Sequence, residues 1–194
     1  MRILLVGAPG SGKGTQAQLL SLSLGLTHIS SGDLLRDHVA RRTALGRRVR
    51  SYVARGDLVP DAIVMDMLRK PVIKAVQRGG YILDGFPRTV EQALAAYGTA
   101  RELGAAVQVA VHLDVPSAEL VRRLLARGRG TDDTDDIIEH RLDVYQDRTL
   151  PMLDYYAQRE QLVRVDAAAP IGKVHQAVLS QLEPVRRMLQ ESTT

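Results

Sequence analysis

The chain has 194 residues, 45% of them hydrophobic and 25% charged, with a formal net charge of +4 at pH 7; that length suits one main domain able to bury a full core. It has no cysteine and no tryptophan, which excludes a disulfide scaffold, cysteine-held zinc and a thiol nucleophile, and fits a reducing compartment. No apolar run approaches the length of a membrane span, and Met1-Arg2 leads into a short apolar run instead of a secretion signal, so a cytoplasmic chain is expected.

In chain order, Ile3–Val6 reads as a strand, Gly7-Ala8-Pro9-Gly10-Ser11-Gly12-Lys13-Gly14-Thr15 as a glycine-rich loop, and Lys13–Leu24 as a helix. Glycines let a loop curl so that successive N–H groups face one anion, the following helix adds its positive end, and a lysine reaches the outer phosphates. Gly10, Ser11, Gly12, Lys13, Gly14 and Thr15 are therefore candidates to hold a nucleoside triphosphate. The general form of this loop has Ser or Thr directly after the lysine as a ligand to Mg²⁺. Here that place is Gly14 and the first hydroxyl comes at Thr15, which points to small-molecule kinases over GTPases and motor ATPases.

Thr27–Ser30 reads as the second strand and Tyr81–Asp84 as the third, with helical patterns at Gly32–Arg42, Ala44–Arg55 and Ala62–Gln77 between them. Simple alternation asks for one helix there, so residues 30–59 read as an inserted helical flap. The third strand ends in Asp84-Gly85-Phe86-Pro87-Arg88. A carboxylate at a buried strand end beside a phosphate loop is placed to steady Mg²⁺, and Arg88 extends from the same end toward a phosphate. A proline turn alone does not account for this acid and arginine, whose burial costs free energy unless they are partnered.

A helix over Val90–Leu103, a strand over Val107–Val115, helices over Ser117–Arg127 and Asp133–Tyr156, a strand over Leu162–Val165 and a helix over Ile171–Leu189 complete the chain. Strands alternating with helices predict an α/β fold: helices on both faces of a central five-stranded parallel sheet, with right-handed crossovers. The charged break within residues 126–133 reads as a short lid on a core of residues 1–29, 60–125 and 134–194. Arg123 and Arg127 share a helical face before the break, Arg129 lies in it and Arg141 follows it, so closure would gather cations over phosphates; any one of these alone would read as solvated surface. Asp132, Asp133, Asp135 and Asp136 lack the spacing of a calcium loop and read as helix-capping groups. Arg41-Arg42 and Arg47-Arg48 fall on alternating faces with acids nearby and no stacking aromatics, so no nucleic-acid partner is expected.

Taken together, GAPGSGKGTQ at 7–16, SSGDLLR at 30–36, GDLVPD at 56–61, DGFPRT at 84–89 and RLDVYQDRTLP at 141–151 resemble, in order and spacing, the motifs of the adenylate kinases. That family of P-loop ATP:AMP phosphotransferases includes a short-lid form. The resemblance spans Met1 to about Val178 and implies a monomer that transfers the terminal phosphoryl group of ATP to AMP, giving two ADP. It implies an ATP side built by Gly10 to Thr15, with Arg123 against the adenine, Arg127 on ATP, and backbone near Ala169 meeting the base. On the AMP side it implies Ser31, Arg36 and the backbone of Asp57, Leu58 and Val59, then Gly85, Phe86, Pro87, Arg88 and Gln92, with Arg129 and Arg141 on the transferred and acceptor phosphates.

The catalytic set so implied is Lys13, Asp84, Arg88, Arg127, Arg129 and Arg141. Mg²⁺ is implied to arrive on the nucleotide, near Thr15 and Asp84 but with no direct side-chain ligand. Ser31 stands where the family usually has Thr, keeping the hydroxyl and losing a methyl. The Gln92 amide offers a donor and an acceptor to the adenine edge; without the resemblance it would read as an exposed helix residue.

An acceptor that is itself an ionised phosphate needs no general base. The five histidines, His28, His38, His112, His140 and His175, are scattered without metal-ligand spacing and read as structural. Two rival readings are a kinase for UMP or CMP, and a nucleotide-binding regulator or nucleic-acid ATPase on the same fold. Against the second stand the flap and the DGFPR turn, which such a protein would not need.

Overall fold

A computed structural model of the chain describes residues 1–127, 134–159 and 161–191. At its centre is β1 (Arg2–Val6), whose Ile3, Leu4, Leu5 and Val6 are all buried. It pairs in parallel with β3 (Tyr81–Asp84) on one side and β4 (Val109–Asp114) on the other. β2 (Thr27–Ser30) and β5 (Leu162–Asp166) complete a five-stranded all-parallel sheet in the order β2-β3-β1-β4-β5. A central strand covered on both faces must be apolar throughout, and the alternation of side chains divides it between two cores. Leu4, Val6, Tyr81, Leu83 and Ala110 belong to one; Ile3, Leu5, Ile82, Val109 and Val111 belong to the other.

The second core is closed by α1 (Lys13–Leu24), α6 (Ser117–Arg127) and α9 (Ile171–Glu191), which contribute Leu20, Leu120 and Val178. The first is closed by α4 (Asp61–Gln77), α5 (Val90–Glu102) and α8 (Met152–Ala157), through Leu68, Ala93 and Met152. Three helices do lie between β2 and β3: α2 (Ser31–Ala40), α3 (Ala44–Arg55) and α4. α2 and α3 pack so closely that a Cβ on Gly46 would lie 1.9 Å from the His38 carbonyl oxygen. Each begins on a side-chain cap, Ser30 accepting from the Asp33 N–H at 3.2 Å and Thr43 from the Gly46 N–H at 3.0 Å.

The segment expected as one helix over Asp133–Tyr156 is divided. α7 (Asp135–Val144) gives way to a π-helical turn, Tyr145–Thr149, before α8. Pro151 has no N–H to give and its ring crowds the carbonyl one turn back. The ladder widens there, with the Leu150 N–H donating to the Tyr145 carbonyl at 2.9 Å. Thr134 precedes α7 without a side-chain capping bond, and Asp135 and Asp136 occupy the first turn, where acidic charge offsets the helix dipole. Asp132 and Asp133, Arg129, and the lid segment over residues 128–133 lie outside the described residues. No described helix is long and apolar enough to cross a membrane.

Candidate active site

The strand order changes direction beside β1, and in an open parallel sheet the crevice past the strand ends at that point is where ligands sit. A cleft of about 730 Å³ opens there, floored by the loop between β1 and α1. Gly10 and Gly12 take φ of 85° and 91°, in the left-handed region that a side chain would strain. At Gly10 space is also tight: a Cβ would stand 3.0 Å from the Leu120 carbonyl oxygen. α1 begins at Gly12 with no side-chain cap and no acid in its first turn, so its first N–H groups and positive end face the cleft uncancelled. Ser11, Gly14 and Thr15 line the same wall.

Lys13 runs back along this loop and donates from Nζ to the Gly7 and Ala8 carbonyls at 2.8 and 2.9 Å. Desolvation pushes its pKa down to about 8; Asp84 opposes the shift, while Arg88, Arg141 and Arg127 reinforce it. Arg88 is lowered in the same manner, by burial first and by Arg36 last, against Asp84. Its Nε donates to the Gly85 carbonyl at 2.7 Å, which anchors the guanidinium at the edge of the cleft. Asp84, 9% exposed at the end of β3, lies beside the loop, with its Oδ2 4.0 Å from where a Cβ on Gly14 would be.

A second, smaller cavity of about 70 Å³ lies under α2 and α3. Ser31, Asp57, Leu58 and Val59 line it from the flap, and Gly85, Phe86 and Gln92 from the end of β3 and the start of α5. The Gly85 backbone comes so near that a Cβ there would lie 2.6 Å from Ser31 Oγ. Pro87 faces the larger cleft, joined to Phe86 by a cis peptide bond. Arg36, Arg88 and Arg141 line both spaces, so three guanidinium groups stand where the two cavities meet.

The wall opposite the flap belongs to α6 and the segment after β5. Arg127 and Ala169 line the cleft. Arg123 donates to the Ala167 and Ala168 carbonyls at 3.0 and 3.1 Å and to Glu119 at 2.7 Å. Glu119 also takes two bonds from Arg122 at 2.7 Å, and these arginines hold its carboxyl down to about 2. The guanidinium expected against the adenine thus also locks the loop at 167–168 to α6. All the candidate residues named from sequence, Arg129 apart, line one cavity or the other.

Gln92 is 3% exposed, not a surface residue. Its backbone N–H donates to Thr89 Oγ1 at 3.1 Å, and its Oε1 accepts from the Arg88 N–H at 2.7 Å. That is a variant of the helix-capping box, and the Thr89-x-x-Gln92 spacing is its sequence signal. Two further groups at the cleft carried no such signal. Tyr145, in the π turn, meets His112 Nε2 at 2.9 Å, and burial keeps that imidazole's pKa below its ordinary value. Thr149 reaches the cleft from the same turn.

A parallel sheet with a glycine loop and helix N-terminus at its switch point, a half-buried lysine and arginines lining two adjoining cavities defines a P-loop nucleotide-binding protein. The family model described as adenylate kinase matches residues 5–161. An adenylate kinase of Rhodococcus erythropolis is 43% identical over 182 residues, 94% of this chain and 99% of that protein. One from Thermobifida fusca is 41% identical over 186 residues, 94% and 98% of the two chains, and one from Mycobacteroides abscessus 44% over 174 residues, 90% and 94%. The chain belongs to the adenylate kinase family.

Proposed function

We propose that the chain binds ATP in the larger cleft and AMP in the cavity under the flap, and catalyses reversible transfer of the terminal phosphoryl group between them, giving two ADP. The observation that carries this reading is the junction of the two cavities, lined from both sides by Arg36, Arg88 and Arg141. An oxygen of the AMP phosphate attacks the γ-phosphorus, and the bond from that phosphorus to the β,γ-bridging oxygen breaks. The acceptor is ionised at neutral pH, so no group on the protein has to remove a proton.

What the site must supply is alignment and cationic charge over three equatorial oxygens in a space closed to water. In this reading the loop N–H groups and Lys13 hold the β- and γ-phosphates, Arg88 and Arg36 hold the AMP phosphate, and Arg127 and Arg141 follow the moving group. Arg129, from the lid segment, is assigned to the same phosphates. Asp84 and Thr15 are hard oxygen donors beside the loop, which fits Mg²⁺. Asp84 and Thr15 would hold it as it arrives on the nucleotide, and bound there it would supply positive charge to the phosphates.

Gln92, with a donor and an acceptor left over, suits the edge of adenine. We take the working species to be a monomer in the cytoplasm; sedimentation of the purified chain checks the oligomeric state. The reaction itself is tested by coupled detection of ADP from ATP with AMP, UMP or CMP as acceptor. AMP should be used far faster than either pyrimidine nucleotide; equal rates, or none with AMP, would contradict the assignment.

A further inference from the structure

We infer that Asp57 and His140 form a clasp between the flap and the helix that carries Arg141, and that His140 is a positioning residue for the acceptor phosphate although it lines neither cavity. The inference rests on the phosphotransfer reading above and deepens it. α3 ends at Gly56, whose φ of 76° turns the chain and brings the next residue against α7. There Asp57 Oδ1 meets His140 Nε2 at 2.9 Å, across 83 residues of sequence. The other carboxylate oxygen takes Arg55 Nε at 2.7 Å, so the carboxylate is held at both ends. Since a carboxylate only accepts, His140 donates from Nε2.

A second contact, independent of that bond, seats the same corner. A Cβ on Gly56 would stand 2.7 Å from Arg141 Cγ and 3.1 Å from Cδ, so the bare glycine backbone lies directly on the stem of the phosphate arginine. Arg141 follows His140 in α7 and lines both cavities, and Ile137, one turn earlier, joins it in lining the cavity under the flap. Moving the corner at Gly56-Asp57 therefore removes the support of Arg141 and opens the AMP cavity in a single displacement.

Asp57 and His140 are about a third to a half exposed, and a single hydrogen bond in that setting contributes little to overall stability. Its effect is geometric, because small misplacements of a charged group at the reacting phosphates cost much of the advantage of alignment. The Asp57 carboxyl is held below its usual range first by Arg55 and then by His140.

The test is a double-mutant cycle on the full chain with Asp57→Ala, which removes the acceptor, His140→Leu and the pair combined, plus His140→Gln, which keeps an N–H donor. Each single change should lower kcat/KM for AMP roughly three- to tenfold, leave KM for ATP within about twofold, and cost nothing further in the double variant. His140→Gln should recover most of the loss. Additive losses, an equal rise in both KM values, or a glutamine variant no better than leucine would overturn the clasp. Calorimetric titration of AMP into the same chains tests it without turnover: both singles should bind more weakly and the double no worse, and equal affinity throughout would refute it. A wild-type chain that bound AMP but made no ADP would instead count against the phosphotransfer reading.

Discussion

Gln92 donates from Nε2 to Asp61 Oδ1 at 2.7 Å while its Oε1 accepts from the Arg88 N–H at the same distance. Asp61 can only accept and a backbone N–H can only donate, so the amide has one orientation. Half of its hydrogen-bonding capacity remains, one N–H and one lone pair, which are the groups an adenine edge matches. Gln92→Ala should raise KM for AMP well above that for ATP. It should also destabilise the fold by about 1 kcal/mol, because the part-buried Arg88 N–H ahead of α5 loses its acceptor. Steady-state kinetics with each nucleotide varied, beside urea unfolding, check both; equal changes in the two KM values would remove Gln92 from the AMP site.

Lys13 predicts a pH profile. Its pKa is pushed down to about 8 in the folded chain against an ordinary value of 10.5, so it loses its charge first in the native state. kcat/KM for ATP, which reports the free enzyme, should fall above about pH 8 with loss of one proton. Lys13→Arg should abolish that limb. The same shift acts on stability with a definite sign: below about pH 8 the buried charge subtracts from stability, and the penalty relaxes as pH rises from there toward the unfolded value. Lys13→Met should accordingly be folded and at least as stable at pH 7, with turnover reduced about 10³-fold.

Much of this was legible in the sequence because each feature is local. Short apolar runs bounded by glycine or by helical patterns located the strands, and the glycine loop and DGFPR are contiguous stretches whose residues line the cavities. Local reading failed where one residue altered a longer element: Pro151 imposes the π turn that puts Tyr145 and Thr149 at the cleft, inside what periodicity renders as one helix. It failed again for partners remote in sequence. Arg123 with the Ala167 and Ala168 carbonyls, Gln92 with Asp61, and Asp57 with His140 are brought together only by the packing of α5, α6 and α7. A backbone acceptor leaves no side-chain signature at all.

Gly46 separates the flap from the rest of the site. A Cβ at this position would overlap the His38 carbonyl at 1.9 Å, so Gly46→Ala must part α2 from α3. The cost should be about 1–3 kcal/mol, confined to the flap. Hydrogen exchange should quicken over α2 and α3 and not over β1 or α1, while KM for AMP rises and KM for ATP does not. Uniform loss of protection would show that α2 and α3 unfold only together with the sheet.

The arginines at the cavity junction predict a different pattern. Arg88→Ala removes a charge that lines both spaces, together with its bond to the Gly85 carbonyl. kcat should fall about 10²- to 10³-fold, with Lys in that position recovering little because it cannot reproduce the planar fork. Single-turnover rates measure this directly, and full recovery by lysine would show that only net charge matters there.

Titration with two adenosines joined tail to tail through five phosphates tests the whole account most directly, since that molecule spans both cavities at once. One molecule should bind per chain and compete with ATP and with AMP alike. Competition with a single nucleotide, or two molecules bound per chain, would contradict a site in which the two substrates meet end to end.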